Sequence, residues 1–421
     1  MNIQSRADSN TAGPHWRFRL RRALVPTLLA TMLGGVAVAQ VPPNIEAGLR
    51  KIGPIVDPAC TAELYRPLMP ANDITSSTTP LYPGITITRN QSFGPNPDDV
   101  VDVFVADHGR ASRPVLIYVP GGAGNKIEIQ DKAANAFYDN IGRWATQHGM
   151  VGVLMQRHFS PTWDAGAKDV SLMIQWLQDH VAQYHGNPER MVIWAQSAGN
   201  GPLGTYIGRP ELYGPKGVGV VGVIFMSGQF DIAPIKVPPA GGANFRELMA
   251  RAGKACGEPG GMISSAGSLP GAAPGTPGGP NEMPGFGPGR GPGGPAGPGG
   301  PGGPAVRRGG GPNGPPVDEA TLLARSSLPE LQRTHVKILL ANAQFDPGVD
   351  MSVHHGLSNF NYALDRGLCQ VGAEHCPTLL VEKGESHMSE VFSIDTADMT
   401  VAGPVLRFIR ASLQASAHRQ D

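Results

Sequence analysis

Two kinds of hydrophobic pattern alternate along most of the chain. Largely apolar runs, typical of strands buried on both faces of a sheet, occupy residues 114–120, 150–156, 191–195, 218–228, 335–346 and 377–387. Segments with the character of helices lie among these runs, at residues 131–148, 164–185, 318–326, 353–367 and 397–414. This alternation predicts βαβ units and therefore an α/β fold, with a mostly parallel central sheet flanked by helices.

The first part of the folded chain has a different pattern. Residues 84–90 and 99–107 alternate between apolar and polar side chains, which predicts an antiparallel hairpin with its turn at Gly94–Pro97. Residues 40–84 are rich in proline and small polar residues, and we expect this N-terminal segment to wrap the surface. The α/β domain itself is expected to occupy residues 85–421.

A stretch dominated by glycine and proline interrupts that domain at about residues 239–317. Its composition cannot bury enough apolar surface to offset the entropy lost on ordering, so we expect a disordered insertion. The G-P-x triplets at residues 291–304 do not indicate collagen, because their period lapses on both sides. Without this insertion and residues 1–39, about 300 residues remain, which is enough for one domain with a large core.

Charge and the N-terminus bear on partners and location. Lys+Arg and Asp+Glu both number 34, so there is no general electrostatic reason to expect binding of nucleic acid or an anionic membrane surface. Residues 1–39 combine a basic segment, a short apolar segment and Ala37-Val38-Ala39, which is the arrangement of a secretory signal peptide. We therefore expect cleavage before Gln40 and a periplasmic or extracellular protein without a stable membrane span. An uncleaved anchor is the alternative.

The cysteines are consistent with disulfides in an exported protein. Cys369 and Cys376 flank a predicted turn and are expected to pair, which leaves Cys60 and Cys256 for a second bridge. Other connectivities remain open from the sequence alone. No spacing of Cys and His resembles a zinc site, and we expect neither a metal nor a cofactor.

The clearest chemical signal is the segment MVIWAQSAGN, residues 191–200. Its apolar strand ends in a turn of small residues that carries the hydroxyl of Ser197, and a helix is predicted to begin within the turn. A serine between a strand and a helix N-terminus is the arrangement of a nucleophile elbow. The motif here is A-x-S-x-G, because Ala195 stands where the first glycine is usual. The alternative is that Ser197 is an ordinary helix N-cap.

Two further polar groups lie at the ends of predicted parallel strands, where loops open onto one crevice of an open sheet. Asp346 follows one strand and His387 follows the next. The chain order Ser197, Asp346, His387 is the one expected of α/β-hydrolases. Asp231 and Asp350 are alternative acids, and His387 could instead be a surface-loop histidine.

Together these segments resemble the motifs of α/β-hydrolase carboxylesterases. GNPERMVIWAQSAGN is similar to their segment G-x-D/N-P-x-R…G-x-S-A-G, YVPGGAG to their oxyanion loop, and QFDP and GESHMS to their acid and histidine loops. The resemblance runs from about residue 100 to about residue 410 without the insertion, and is nearest to esterase/lipase and arylformamidase-like hydrolases. There are two departures: Pro120–Ala123 reads P-G-G-A where the family has H-G-G-G, and Ala195 replaces glycine.

The chemistry of these groups predicts acyl transfer to water through a covalent intermediate. Ser197 would attack the carbonyl carbon, His387 would accept and return the proton, and Asp346 would orient the imidazole and stabilise its cation. We therefore expect a secreted serine hydrolase that cleaves small-molecule carboxylic esters. An amidase or peptidase with the same triad is one alternative, and a non-catalytic binding protein with the same fold is the other.

The surroundings of the triad are predicted in less detail. The backbone N–H groups of Ala198 and of Gly122 or Gly121 are the expected donors to the oxyanion. Arg157 and His158 end a predicted strand on the crevice side and are candidates for contact with the substrate. The sequence does not indicate the acyl length or the oligomeric state.

Overall fold

Eight strands of the computed structural model form one sheet. The structure describes residues 40–69, 82–121, 137–157, 164–228 and 318–417, so the predicted signal peptide and the Gly/Pro insertion lie outside the described residues. The strands are β1 Ile85–Ser92, β2 Val100–Ala106, β3 Arg113–Val119, β4 Val151–Met155, β5 Gly186–Gln196, β6 Gly222–Met226, β7 Lys337–Phe345 and β8 Thr378–Ser386.

The strand order in this sheet is β1-β2-β4-β3-β5-β6-β7-β8. β1 pairs antiparallel with β2, as the hairpin prediction required, and β2 pairs antiparallel with β4. Every pairing from β4 through β3, β5, β6 and β7 to β8 is parallel. The predicted mostly parallel sheet is therefore confirmed, and the C-terminal ends of six strands open on the same edge.

Helices cover the sheet, as the alternating pattern predicted. They are α1 Pro43–Ile52, α2 Pro58–Tyr65, α3 Asp139–Gln147, α4 Ala165–His180, α5 Asn200–Ile207, α6 Glu319–Arg325, α7 Leu328–Leu331, α8 Asn359–Cys369, α9 Ser389–Phe392 and α10 Ala402–Ala417. Among the described residues, no helix has both the length and the apolar character needed to cross a membrane.

The core consists of two apolar layers, one on each face of the sheet. Because successive side chains of a strand point to opposite faces, Leu116 and Tyr118 of β3 enter one layer while Ile117 and Val119 enter the other. Residues of α1, α3 and α10 complete the first layer, and residues of α4, α5 and α8 complete the second. Strands buried on both sides explain why their sequences are apolar at nearly every position.

The N-terminal segment does more than wrap the surface. Residues 43–65 form α1 and α2, and the side chains of Leu49 and Tyr65 are fully buried in the first apolar layer. Asp57 caps α2, since its carboxylate accepts a hydrogen bond from the Cys60 N–H at 3.0 Å. α1 contacts β8, and α2 contacts α9, so this segment supports the loop that follows β8.

Several predicted boundaries shift where the backbone turns. The helix expected to begin at residue 353 begins at Asn359, because His354 and His355 have positive φ angles of 52° and 57°. β6 begins at Gly222 and not at residue 218, after positive φ angles of 76° at Gly217 and 69° at Gly219. The last helix begins at residue 402 and not at residue 397.

One predicted disulfide is present at the end of α8. It joins Cys369 to Cys376, as expected from their position around a turn. Cys60 is also disulfide-bonded. Cys256 lies outside the described residues, so the second predicted pairing remains a prediction.

Candidate active site

Ser197 stands at a sharp turn between strand and helix. β5 ends at Gln196 in an extended conformation, Ser197 has a φ of +53°, and α5 begins at Asn200 after a short 3₁₀ turn. A positive φ is uncommon for a residue with a side chain and is often found at functional sites. The turn lifts the partly buried Ser197 out of the end of the sheet, as a nucleophile elbow requires.

Small neighbours allow this turn. A Cβ atom at Gly199 would lie 2.6 Å from the carbonyl oxygen of Val119, so only glycine fits there. A Cβ atom at Gly121 would lie 2.8 Å from the Cβ of Ser197, which places the loop after β3 directly against the elbow. Ala195, by contrast, is a fully buried residue of β5 in the second apolar layer. Its methyl group therefore packs into the core, which explains how the sequence departs from glycine at this position.

The three residues singled out by chain order form a hydrogen-bonded set. The Oγ of Ser197 lies 2.8 Å from Nε2 of His387, and Nδ1 of His387 lies 2.7 Å from Oδ2 of Asp346. Asp346 directly follows β7 and His387 directly follows β8. With a proton on Nδ1, the imidazole donates to the carboxylate and leaves Nε2 free to accept the proton of the Ser197 hydroxyl.

The competing acid that the structure describes, Asp350, is not part of this set. Asp350 is partly exposed, and its carboxylate accepts hydrogen bonds from the N–H and the hydroxyl of Ser352 at 2.8 and 2.6 Å. Asp231 lies outside the described residues. Asp346 is therefore the carboxylate that the described structure brings to His387.

Burial and charge act in opposite directions on the Asp346–His387 pair. Burial by itself would raise the pKa of Asp346, but His387 and hydrogen bonds from Gly348 and Ser227 hold this pKa below its ordinary value. Burial would lower the pKa of His387, and the Asp346 carboxylate outweighs it and raises this pKa. The pair is thus arranged to keep the carboxylate ionised and to stabilise a proton on the imidazole.

Comparison with known proteins agrees with this fold. A family model described as BD-FAE matches residues 101–208, which run from β2 to the end of α5 and include Ser197. A solved structure described as a bacterial heroin esterase has a TM-score of 0.50 and 16% identity, covering 89% of this chain and 99% of that one. The chain has an α/β-hydrolase fold.

Curated esterases share shorter stretches with this chain. Esterase LipQ of Mycobacterium tuberculosis is 38% identical over 88 residues, which are 20% of this chain and 20% of that protein. Cocaine esterase of Homo sapiens is 26% identical over 109 residues, which are 24% of this chain and 19% of that protein. The chain thus matches about a fifth of the length of these curated relatives.

The predicted oxyanion donors lie beside Ser197 as far as they are described. Ala198 is exposed in the first turn after β5, where backbone N–H groups lack partners within the helix. Gly121 is buried against the elbow, and Gly122 lies outside the described residues. The structure therefore places two of the three candidate donors next to the hydroxyl that would attack.

Arg157 has a role that the sequence did not indicate. Its Nε donates a hydrogen bond to the carbonyl oxygen of Pro120 at 3.1 Å, so it holds the loop that carries Gly121. Burial lowers the pKa of the Arg157 guanidinium, while Tyr138 and Asp169 oppose that shift. His158, the second candidate for substrate contact, lies outside the described residues.

Sequence reasoning missed several buried polar side chains around the elbow. The amide of Gln196 donates to the carbonyl oxygen of His387 at 2.9 Å and to the carboxylate of Glu390 at 2.8 Å. The amide of Asn200 donates to the carbonyl oxygens of Ser197 and Met226, each at 2.8 Å. Gln196 and Asn200 do lie in the elbow motif, but nothing in the local pattern shows that they are buried. In the part of the chain that the structure describes, no group of three His, Cys, Asp or Glu residues could hold a metal ion.

Proposed function

We propose that this protein is a serine hydrolase that cleaves carboxylic esters through an acyl-enzyme on Ser197. The observation that carries the proposal is the hydrogen-bonded chain from Ser197 Oγ through His387 to Asp346, with distances of 2.8 and 2.7 Å. A serine hydroxyl is a weak nucleophile at neutral pH and needs an adjacent base, which this chain supplies. The names of the curated relatives, esterase LipQ and cocaine esterase, support ester substrates.

In the acylation half-reaction, Ser197 Oγ attacks the ester carbonyl carbon while Nε2 of His387 takes the hydroxyl proton. The carbonyl π electrons move to oxygen, and the resulting anion accepts hydrogen bonds from the backbone N–H groups of Ala198 and of Gly121 or Gly122. When the tetrahedral intermediate collapses, the C–O bond to the alcohol breaks and His387 returns the proton to that leaving oxygen. Each oxyanion donor is expected to contribute a factor of about 10²–10³ in rate.

In the deacylation half-reaction, His387 removes a proton from water as the water attacks the acyl carbon. A second tetrahedral intermediate collapses, the bond to Ser197 Oγ breaks, and the proton passes from His387 to that oxygen. Asp346 remains ionised throughout, which fits its lowered pKa. Its negative charge stabilises the imidazolium that forms in both steps.

We also propose that the hydrolase is exported and acts in the periplasm or outside the cell. The basic and apolar segments and the A-x-A site within residues 1–39 support a signal peptide. The bridge between Cys369 and Cys376 is consistent with an oxidising compartment. Mass spectrometry of the protein from cell fractions tests this: an N-terminus near Gln40 in the exported fraction is expected, and an unprocessed cytoplasmic protein would contradict it.

The function is tested by hydrolysis of p-nitrophenyl acetate and butyrate. Ser197→Ala should reduce kcat to the level of the oxyanion hole and binding alone. Ser416→Ala should retain the wild-type rate, because the hydroxyl of Ser416 lies at the end of α10 and donates to the carbonyl oxygen of Leu413. Equal rates for wild type and Ser197→Ala would contradict the proposal. The matching p-nitroanilide separates the esterase from the amidase hypothesis, since an esterase should hydrolyse the anilide far more slowly than the ester.

A further inference from the structure

Glu390 is a buried acid near the candidate triad, and its charge acts on His387. It is fully buried in α9, three positions after His387. One carboxylate oxygen accepts a hydrogen bond from Nε2 of Gln196 at 2.8 Å, and the other accepts from Oγ of Ser227 at 2.7 Å. Burying a carboxyl group costs free energy unless hydrogen bonds satisfy it. A satisfied buried network of this kind also holds its members in fixed positions.

These two donors belong to the parts of the chain that carry the triad. Gln196 directly precedes Ser197, and its amide also donates to the carbonyl oxygen of His387 at 2.9 Å. Ser227 follows β6 with a φ of +48°, and its hydroxyl is also within hydrogen-bonding reach of Asp346. One carboxyl group therefore ties together the nucleophile turn, the acid and the histidine loop.

We propose that Glu390 is a positioning residue of the triad, whose carboxyl group links Gln196 to Ser227 and sets an ionisable group against the Asp346–His387 pair. The inference rests on the proposed function, because it assigns a role in the same reaction. The proposed role of Glu390 requires no contact with a reacting atom. It acts by fixing where Ser197 and His387 stand and by changing the charge around them.

The other ionisable groups facing Glu390 are mostly acids. His387 lies just before α9, Glu382 is in β8, Asp346 follows β7, and Tyr118 is in β3. Glu385, also in β8, faces Glu382. Burial and the Asp346 carboxylate raise the pKa of Glu390 to about 8, although His387, Ser227 and Gln196 oppose the shift. Burial and the neighbouring carboxylates raise the pKa values of Glu382 and Glu385 well above their ordinary range.

The ionisation of Glu390 has a defined consequence for catalysis. A negative Glu390 raises the pKa of His387, because the two opposite charges stabilise each other. The transition states of acyl transfer contain a protonated imidazole. Below about pH 8 the Glu390 carboxyl group is largely neutral. Above about pH 8 it is a carboxylate, which stabilises the imidazolium of His387. The rate should therefore rise in two steps, first as free His387 becomes neutral and again as Glu390 ionises.

The test compares pH profiles of kcat for wild type, Glu390→Gln and the matched control Glu385→Gln. In Glu390→Gln the new carbonyl oxygen can accept from Gln196 and the new amide can donate to Ser227 Oγ, so the contacts persist and only the ionisation is lost. Glu385 is equally buried and lies in β8, but its carboxylate accepts from Ser389 and Tyr65 instead of from Gln196 and Ser227.

We expect two ascending steps for wild type and for Glu385→Gln, and a single step for Glu390→Gln. Glu390→Ala should lower kcat at every pH by about 10²-fold with little change in KM, the size of effect that a displacement of about 1 Å produces. A Glu390→Gln profile with the same two steps as wild type would overturn the inference. So would a Glu390→Ala variant that is folded and has wild-type kcat.

One measurement needs only the wild-type protein, in case the Glu390 variants do not fold. The rate of inactivation by a fluorophosphonate, followed from about pH 5 to about pH 10, should show the same two steps. A single step in a well-determined profile would overturn the inference. Ser197→Ala separates the proposed function from the role of Glu390. If Ser197→Ala keeps its activity, the proposed function fails. If Ser197→Ala is inactive and Glu390→Gln has wild-type kinetics, only the role of Glu390 is refuted.

Discussion

Replacing Asp346 by asparagine should remove catalysis by changing which nitrogen of His387 carries the proton. Oδ1 of Asp346 accepts the N–H of Gly348 at 3.0 Å, and Oδ2 faces Nδ1 of His387 at 2.7 Å. In the asparagine variant the carbonyl oxygen should keep the Gly348 contact, because an amide nitrogen cannot accept from an N–H. The NH₂ group then donates to Nδ1 of His387. The proton of the imidazole moves to Nε2, and this nitrogen can then no longer accept the proton of the Ser197 hydroxyl.

The size of the effect follows from two losses. The hydrogen bond between Asp346 and His387 involves a charged group with both side chains buried, and such a bond contributes about 1.5–3 kcal/mol. The wrong tautomer adds a larger penalty, since the base must exchange its proton before it can act. We expect kcat to fall by about 10⁴, which corresponds to about 5.5 kcal/mol in the barrier. The acid limb of the profile should also move to lower pH, because Asp346 raises the pKa of His387 and its charge is lost.

The assay is p-nitrophenyl butyrate hydrolysis by Asp346→Asn, Asp231→Asn and Asp350→Asn, with a urea melt to show that each variant is folded. Asp350 is the matched control because it follows the same strand, is partly exposed, and its carboxylate accepts hydrogen bonds from Ser352. Its variant should stay within about twofold of wild type. A folded Asp346→Asn that loses less than tenfold, or an Asp231→Asn that loses several decades, would refute the assignment of the acid.

Two further predictions concern the frame around the site. Arg89→Ala should destabilise the fold by about 3 kcal/mol in urea denaturation, because it leaves the fully buried carboxylates of Asp102 and Asp139 without the cation at 2.8 and 2.6 Å. The control is Arg50→Ala, which removes the exposed ion pair between Arg50 and Glu46 and should change the free energy of unfolding by less than about 1 kcal/mol. Equal effects of Arg89→Ala and Arg50→Ala would contradict the prediction. Gly199→Ala should lower kcat by about 10²-fold, since a Cβ atom 2.6 Å from a β3 carbonyl oxygen must displace the elbow. Wild-type kcat in that variant would show that the contact is relieved without moving Ser197.

Much of the sheet and the candidate triad could be predicted because local pattern and chain order carry them. Apolar runs indicated the strands that the sheet buries on both faces, and the order of Ser197, Asp346 and His387 placed these groups at one edge. The alternatives for the acid could not be resolved from the sequence, because Asp346 and Asp350 both follow the same strand. Only the three-dimensional structure shows which carboxylate reaches the imidazole.

The buried polar contacts could not be predicted, because burial of a polar side chain depends on distant parts of the chain. Gln196 and Glu390 are 194 positions apart in the sequence, and neither belongs to an amphipathic pattern. The same reason applies to α1 and α2. Their composition suggested a segment on the surface, but Leu49 and Tyr65 are buried in the first apolar layer. Tyr65 in particular contacts Glu385 and Asp398, which lie more than three hundred positions away.

The central claim is that Ser197 is the nucleophile of an acyl-transfer reaction, and labelling tests it most directly. The folded protein is treated with a fluorophosphonate, digested, and mapped by mass spectrometry. The account predicts one adduct per chain on the peptide containing Ser197, with loss of p-nitrophenyl butyrate hydrolysis in proportion to labelling, and no adduct on that peptide in Ser197→Ala. If the treated protein keeps full activity and carries no adduct, or if the adduct lies on another residue, the result would contradict the claim.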